Sequence, residues 1–355
     1  MRATQPLFSR EAGPAAGRIA WVDYAKGVCI LLVVMFHTVN HYEEAVGATG
    51  WMRWIVDFSK PFRMPDFFLI SGLFLSRTIN APLRDYIDRK VLHFAYFYFL
   101  WLAITLAVTD LDVLRADPAE WAKLFGWHMI QPVGTLWFVH MLAIFYVLTR
   151  LVRKAPKLVV LAAAAGLQIA HQAQWIDTPS FAVNRLMDYY VYFFLGYALS
   201  EAIFAMADRV RETPRLTIAM LAVWAMVNFQ LTSNEVHGLP VLGLVMGLVG
   251  AFAVVQLSVL LSRARAAGFL GYCGRNSIVI YLAFFFPMMA LERLLAGSNA
   301  IPDVGWACAT ILVVSLLAPL AMHQAIRGTP LRALFERPRM VRLGGRKAGA
   351  VEAAA

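Results

Sequence analysis

Charged residues are scarce in this chain of 355 residues. Asp, Glu, Lys and Arg make up 15% of the sequence, whereas hydrophobic residues make up 60% and the mean hydropathy is +0.62. Soluble globular proteins carry roughly 25% charged and 45–50% apolar residues. The shortage of charge and the excess of apolar side chains exclude an ordinary soluble domain and predict an integral membrane protein.

Cysteine is also rare. Cys29, Cys273 and Cys308 all lie within apolar runs, and their spacing matches neither a disulfide framework nor a zinc site. We therefore expect small core residues and no bound metal. The net charge is +10, but the basic residues are not clustered as a nucleic-acid surface requires, so no nucleic-acid partner is expected.

Long apolar runs dominate the chain instead. A helix that crosses the hydrocarbon core of a bilayer needs roughly 20 mostly apolar residues. The runs predict an all-α, polytopic transmembrane bundle of about ten spans. They lie near residues 19–41, 61–78, 91–109, 135–150, 158–175, 186–204, 216–232, 239–261, 274–292 and 302–324.

The positions of the basic residues predict the orientation of the chain. With the N-terminus inside, 24 of the 32 Lys and Arg residues fall in cytoplasmic segments and seven fall outside, and Lys26 lies within the first span. Excess Lys and Arg in cytoplasmic loops sets the orientation of membrane proteins, so both termini are expected in the cytoplasm. Residues 1–18 form a mobile N-terminal segment, residues 19–325 the membrane domain, and residues 326–355 a basic, disordered tail in this interpretation.

The first span carries five polar residues, which are Asp23, Lys26, His37, Asn40 and His41. An Asp or Lys at the centre of a membrane helix costs about 2.5–3.5 kcal/mol, so such residues point to function. His37 follows Lys26 by eleven positions, which puts them on one helix face and about 16 Å apart along the axis. Other interpretations remain open, because Lys26 could pair with Asp23 at the inner interface and His37 could be a packing histidine.

The second predicted span begins with Pro61-Phe-Arg-Met-Pro-Asp66. Asp66 is expected at the depth of His37, where its carboxylate would orient the imidazole. Alternatively, Asp66 pairs with Arg63, which lies three residues earlier on the same face.

Further candidates lie near the ends of other spans. His140 lies near the predicted outer end of the fourth span. Arg185 and Asp188 lie at the beginning of the sixth, where they would pair with each other or contact a polar acceptor substrate. On the inside, a basic group begins the third span, although positive-inside topology also explains it. This group comprises Arg84, Arg89, Lys90 and His93.

Together these motifs resemble the acyltransferase family 3 membrane proteins. The pair Lys26 and His37, with ten residues between them, resembles the family's Arg/Lys-x10-His signature. The segment Asp66-Phe-Phe-Leu-Ile-Ser-Gly72 resembles the one with which the family's second span begins. Trp137-Phe138 and the run from Gly274 to Tyr281 resemble later landmarks, so the likeness covers residues 18 to 325. Phe62-Arg-Met is similar to the subgroup that succinylates periplasmic glucans.

Three positions depart from the family pattern. Lys90 and His93 stand where the family often has Arg-x-x-Arg, and Val139-His-Met-Leu stands where many members have a Glu. Ala283-Phe284 stands where many have a His. These changes bear on how the donor is bound and on the class of the acceptor.

The resemblance implies an enzyme of the bacterial inner membrane. It would move an acetyl or succinyl group from cytoplasmic acyl-coenzyme A to a hydroxyl of a glycan or other sugar-containing acceptor at the periplasmic side. His37 would act as general base with Asp66, or would itself carry the acyl group. The coenzyme A side would be Asp23, Lys26, Arg89, Lys90 and His93, and the acceptor side would be Arg63, Asn40, His41, His140, Arg185 and Asp188.

Two other functions remain open. The polar face of the first span would also suit a proton-coupled transporter or flippase, although no inverted repeat is visible in the sequence. A catalytically silent scaffold would need none of these side chains. Homo-oligomers are compatible with each function.

Overall fold

The computed structural model describes residues 19–264, 267–298 and 300–343, and these residues form helices and connecting turns without a β-strand. Seventeen α-helices occur among them, numbered here in chain order. They are α1 Ala20–Val46, α2 Arg53–Ser59, α3 Arg63–Gly72, α4 Leu83–Tyr86, α5 His93–Thr109, α6 Leu111–Ala116, α7 Pro118–His128, α8 Trp137–Leu151, α9 Lys157–Gln172, α10 Phe181–Ala198, α11 Ser200–Glu212, α12 Pro214–Ser233, α13 Pro240–Arg263, α14 Gly268–Arg275, α15 Ser277–Ala283, α16 Phe285–Ser298 and α17 Val304–Ile326.

Shorter helical turns connect several of these helices. A π-helix, Ile87–Leu92, joins α4 to α5 into one continuous rod. The 3₁₀ turns are Leu75–Arg77, Gly134–Leu136, Val236–Gly238, Pro330–Leu334 and Arg339–Val341.

Six helical rods among the described residues are long and apolar enough to cross a membrane. They are Ala20–Val46, Leu83–Thr109, Gly134–Leu151, Pro214–Ser233, Pro240–Arg263 and Val304–Ile326. Two bent pairs raise the number to eight if each pair is one span: α10 with α11, bent by 73°, and α15 with α16, bent by 50°. The protein is therefore an all-helical, multi-pass membrane protein.

The predicted count of ten spans is not confirmed. The expected span 61–78 is interrupted, because α3 has 10 residues and gives way to a 3₁₀ turn. The expected span 158–175 corresponds to α9, which has 16 residues. At 1.5 Å per residue these helices are about 15 and 24 Å long, shorter than the roughly 30 Å hydrocarbon core. Residues 1–18 and 344–355 lie outside the described part of the chain.

Helix α1 lies at the centre of the bundle and packs against α3, α13, α14 and α17. Its contact with α14 depends on two glycines. A Cβ added to Gly27 would collide with the carbonyl of Leu270, and one added to Gly274 would collide with the carbonyl of Asp23. Small residues let membrane helices approach closely, since van der Waals packing drives their association. The helix that carries His37 is therefore held rigidly in the core.

Helices α3 and α10 make a reciprocal contact of the same kind. A Cβ on Gly72 would collide with the carbonyl of Phe193, and a Cβ on Gly196 would collide with the carbonyl of Leu69. Both glycines are buried. This contact holds the short helix α3, which carries Arg63 and Asp66, against a long helix.

We expect Gly196→Ala to lower the free energy of unfolding by about 1–3 kcal/mol, because the added methyl forces α3 and α10 apart. Thermal unfolding in detergent measures the effect. The matched control is Gly166→Ala on α9, where an added Cβ meets nothing within 4 Å. Equal melting temperatures for the two variants would contradict the close packing.

The segment after α17 is folded, which corrects the prediction of a disordered tail for residues 326–343. Tyr96 Oη donates a hydrogen bond to the carbonyl of Ala333 (2.8 Å), and Trp101 Nε1 donates one to the carbonyl of Leu334 (2.9 Å). Phe335 is buried beside Trp101, with the ring centroids 5.5 Å apart. The Arg- and Gly-rich composition is typical of a mobile tail, but these aromatic contacts fix the segment to α5.

A buried ion pair fixes the same segment to the π-helix. Arg337 Nη2 donates to Asp88 Oδ1 at 2.6 Å, and Arg337 Nη1 donates to the Asp88 carbonyl at 2.6 Å. The backbone N–H of Leu343 donates to the same carboxylate oxygen at 2.7 Å. The C-terminal segment thus belongs to the end of the bundle that was predicted to be cytoplasmic.

Candidate active site

His37 lies on α1 beside the bend between α15 and α16. Its ring centroid is 5.6 Å from that of Phe284, the residue at the bend, and 5.2 Å from that of Phe36. No hydrogen bond joins its ring to another residue in the described part of the chain. Helix breaks at membrane depth are tolerated where they are buried or line a cavity. The imidazole is therefore available for chemistry with a bound molecule.

Asp66 does not contact His37, so the predicted orienting hydrogen bond is absent. Asp66 is fully buried, and its Oδ2 accepts a hydrogen bond from Cys29 Sγ at 2.9 Å. Cys29 lies eight residues before His37, about 12 Å away along α1. Nor does Asp66 pair with Arg63, and its Oδ1 has no partner among the described residues. Asp66 joins α3 to α1 well below the imidazole.

The residue of α3 at the level of His37 is Arg63. Its guanidinium carbon lies 3.8 Å from the centroid of the Phe36 ring, and its charge acts on His37. Arg63 is 7% exposed, and its Nη1 has no hydrogen-bond partner among the described residues. A buried cationic donor without a partner is costly unless a ligand uses it. Arg63 therefore offers a hydrogen bond to a molecule beside His37.

The C-terminal end of α1 is fixed by α2, through a network that the sequence did not reveal. Arg53 Nη1 donates to Asn40 Oδ1 at 2.7 Å, and Arg53 Nε donates to Glu43 Oε2 at 2.8 Å. Glu43 is buried. His41 lies one turn beyond His37, with ring centroids 6.3 Å apart. Asn40 is thus engaged in holding α2, and His41 stays close to the imidazole.

The opposite end of α1 meets a basic group on the π-helix and α5. Lys26 and Arg89 lie within electrostatic reach of Lys90, whose Nζ is 5.2 Å from the centroid of the Tyr146 ring. A π-helix adds residues to a turn and often marks a functional site. This one brings Arg89 and Lys90 to the same end of the bundle as Lys26. The predicted coenzyme A residues on α1 and before α5 are therefore neighbours.

His93 joins this basic group to the C-terminal segment. Its ring packs edge-on against Phe97, with centroids 5.1 Å apart, and the charges of Arg337, Lys90 and Arg342 act on it. Sequence reasoning missed the two arginines, because they follow Lys90 by about 250 residues in a segment that resembled a free tail. Their only sequence signal was the positive charge of that tail.

The remaining predicted residues lie elsewhere in the bundle. Asp188 binds Arg185 Nη1 (3.0 Å) and His171 Nδ1 (2.6 Å) through its two oxygens. His140 packs 4.7 Å from the Tyr98 ring, and its Nε2 is 3.2 Å from the Met129 carbonyl. Phe138, which lies 200° away around α8, faces α3 instead. His140 is therefore not grouped with Asp188.

The residues that the structure describes contain no group of three or more His, Cys, Asp and Glu side chains that could hold a metal ion. The buried carboxylates are instead engaged by cations and hydrogen-bond donors of the chain itself. Arg53 binds Glu43, and Arg337 binds Asp88.

A family model described as an acyltransferase domain matches residues 19–321. The inner membrane protein YcfT of Escherichia coli (strain K12) is 25% identical over 287 residues, which cover 74% of this chain and 77% of YcfT. No solved structure matches significantly. The similarity and the apolar helices together place the chain in the inner membrane as a multi-pass protein.

Proposed function

Because the chain belongs to acyltransferase family 3, we propose that it is a membrane O-acyltransferase that uses His37 as general base. The acyl group moves from acyl-coenzyme A on the cytoplasmic side to a hydroxyl of a sugar-containing acceptor on the periplasmic side. The observation that carries the proposal is the position of His37 on α1, between a basic group at one end and the unpartnered Arg63 donor at its own level.

The basic group suits the nucleotide part of coenzyme A. Lys26, Arg89, Lys90 and His93 come together at the end of α1 away from His37. Cationic donors form short, strong hydrogen bonds with phosphate oxygens. The remaining part of the donor would extend along α1 for about 16 Å, the distance from Lys26 to His37 along the helix axis. This places the thioester beside the imidazole.

The chemistry needs one proton carrier and one oxyanion donor. Neutral His37 accepts the proton of the acceptor hydroxyl while that oxygen attacks the thioester carbonyl. The carbonyl oxygen becomes an anion, to which Arg63 Nη1 donates a hydrogen bond. The intermediate then collapses, the carbon–sulfur bond breaks, and His37 returns the proton to the leaving thiolate. Asp66 fixes α3 through Cys29 and takes no part in the proton transfer.

The test is the release of free coenzyme A by purified protein in nanodiscs, supplied with acetyl- or succinyl-coenzyme A. We expect slow release with at least one donor, because water can take the place of the acceptor hydroxyl beside His37 and receive the acyl group as the free acid. A thiol reagent measures it continuously. Neither binding nor release with either donor would overturn the proposal, and solute movement without loss of thioester would favour the transporter.

Lys90→Ala is expected to raise the KM for the acyl donor by about 10- to 100-fold. The variant loses a charge-assisted hydrogen bond to phosphate, worth about 1.5–3 kcal/mol. The turnover number should change far less, because Lys90 lies far from His37. The matched control is Lys154→Ala, which removes an exposed lysine from the α8–α9 connection. An unchanged KM in Lys90→Ala would contradict the proposed donor site.

A further inference from the structure

A polar cavity of about 200 Å³ lies between α9, α10, α13 and the segment that precedes α3. Two amides, two phenols, a carboxylate and an imidazole line it. These are Gln168, Gln172, Tyr189, Tyr192, Asp188 and His237, and the exposed Lys60 also lines the cavity. Polar side chains within membrane helices are costly and mark binding or transport sites by default.

Hydrogen bonds within the cavity wall leave two buried atoms unpaired. Gln168 is 7% exposed; its Nε2 donates to Tyr192 Oη at 2.7 Å, whereas its Oε1 has no partner among the described residues. Gln172 Nε2 donates to the His237 carbonyl at 3.1 Å, and His237 Nδ1 is also without a described partner. An unsatisfied buried polar atom costs about 1–3 kcal/mol. A bound molecule that donates hydrogen bonds would remove this cost.

Apart from Lys60, which is exposed to solvent, the groups of the cavity wall favour a neutral molecule. Both oxygens of Asp188 are already occupied, by His171 and Arg185. Burial and the nearby charge of Lys60 lower the pKa of His237, which lies in the turn between α12 and α13. Its imidazole is therefore neutral at neutral pH. Gln168 Oε1 is an acceptor without a partner among the described residues, so it suits a hydroxyl donor and repels the oxygens of a phosphate or carboxylate.

An apolar groove of about 490 Å³ adjoins this cavity. Its wall is formed by Ile169 of α9, Ala173 and Trp175 just after that helix, Leu239, and the first two turns of α13. Trp175 is 78% exposed and Val245 is 45% exposed, so the groove opens towards the lipid. Helices α9 and α13 line both spaces. On α9, Gln168 lines the cavity and Ile169 the groove, and on α13, Gly243 lines the cavity and Leu242 the groove.

The wall between cavity and groove is thin at Gly243. A Cβ at this position would collide with the side chain of Gln172 and with the His237 carbonyl. Glycine therefore lets α13 approach the amide that lines the cavity. A head group in the cavity and a chain in the groove would be separated only by the contact between Gly243 and Gln172.

The cavity also leads towards His37. Pro65 of α3 lines it, whereas Arg63 lies 200° away around the same helix, against Phe36. Tyr189, another wall residue, lies within electrostatic reach of Arg63. A hydroxyl group that extends from the cavity past Arg63 would approach the imidazole.

We propose that the cavity and the groove together bind an amphiphile, with a neutral hydroxyl-bearing head in the cavity and an apolar chain in the groove, and that this lipid-anchored sugar is the acyl acceptor. The role as acceptor rests on the proposed function, whereas the binding does not.

Photocrosslinking in nanodiscs tests the binding. The probe is an alkyl β-glucoside with a diazirine in its chain, and mass spectrometry locates the labelled residues. We expect labelling on α9 and the first turns of α13. Unlabelled alkyl glucoside should compete at least tenfold better than glucose or than a phosphocholine of the same chain length.

Variants distinguish the two parts of the site. Gln168→Leu and Gly243→Ala should lower labelling at least tenfold, whereas the matched controls Gln230→Leu and Gly166→Ala should leave it unchanged. Val245→Trp fills the groove from its exposed wall and should also lower labelling without disturbing the buried network. Unchanged labelling in all three site variants, or equal competition by glucose or the phosphocholine, would overturn the site.

The release of coenzyme A separates failure of this inference from failure of the proposed function. Thioester release without crosslinking would leave the acyltransferase standing and remove the amphiphile site. Crosslinking without thioester release would keep the site and remove its role as acceptor site. If neither occurs, both proposals are wrong.

Discussion

Replacement of His37 by alanine is expected to lower acyl transfer by about 10²- to 10⁴-fold, the usual worth of general acid–base catalysis. The donor should bind as before, because the basic group lies about 16 Å away along α1. The melting temperature should also change little, since no hydrogen bond joins the ring to another described residue. Single-turnover transfer from labelled acyl-coenzyme A measures the chemical step, and equilibrium binding measures the donor affinity.

The matched control for this experiment is His128→Ala. His128 lies at the end of α7, where its Nδ1 is 2.9 Å from the Gln131 carbonyl. It should transfer the acyl group at the rate of the unmodified protein. Equal rates in His37→Ala and His128→Ala would remove His37 from the mechanism, and donor binding lost with His37 would make it a binding residue instead.

Loss of Arg337 is expected to release the C-terminal segment from the bundle. Arg337 is 6% exposed and Asp88 is 8% exposed. Removal of one partner from a buried ion pair costs about 3–5 kcal/mol, because the other charge stays buried without compensation. In Arg337→Ala we expect rapid proteolysis between residues 330 and 343 and a lower melting temperature.

A second substitution sharpens this test. In Asp88→Ala/Arg337→Ala no buried charge remains, so most of the lost stability should return. Arg339→Ala removes an exposed arginine two residues away and should behave as the unmodified protein does. Proteolysis of Arg337→Ala at the rate of Arg339→Ala would show that the ion pair does not hold the segment.

The general architecture was predictable, because apolar runs and the shortage of charge alone indicate membrane helices. Interruptions in those helices were not. The run 61–78 is mostly apolar, yet the helix ends at Gly72, which packs against the backbone carbonyl of Phe193. The predicted sixth span likewise bends by 73° between α10 and α11. Such breaks depend on tertiary contacts that composition does not record.

The candidate site was predictable along one helix and less so between helices. Periodicity alone put Lys26 and His37 on one face of α1. The depth of α3 relative to α1 depends on the turn that follows α2, so the sequence placed Asp66 where the structure places Arg63. Gln168, His171 and Arg337 had no local signal, since their partners are 17 to 249 residues away.

The ion pair between Asp88 and Arg337 also bears on how the chain is made. The two residues are 249 positions apart, so at about 5–20 residues per second a ribosome needs roughly 12–50 s to reach the second one. During that time α5 to α17 are synthesised while the carboxylate of Asp88 has no cation to pair with. Nascent chains halted before Arg337 should therefore be substrates for membrane quality control.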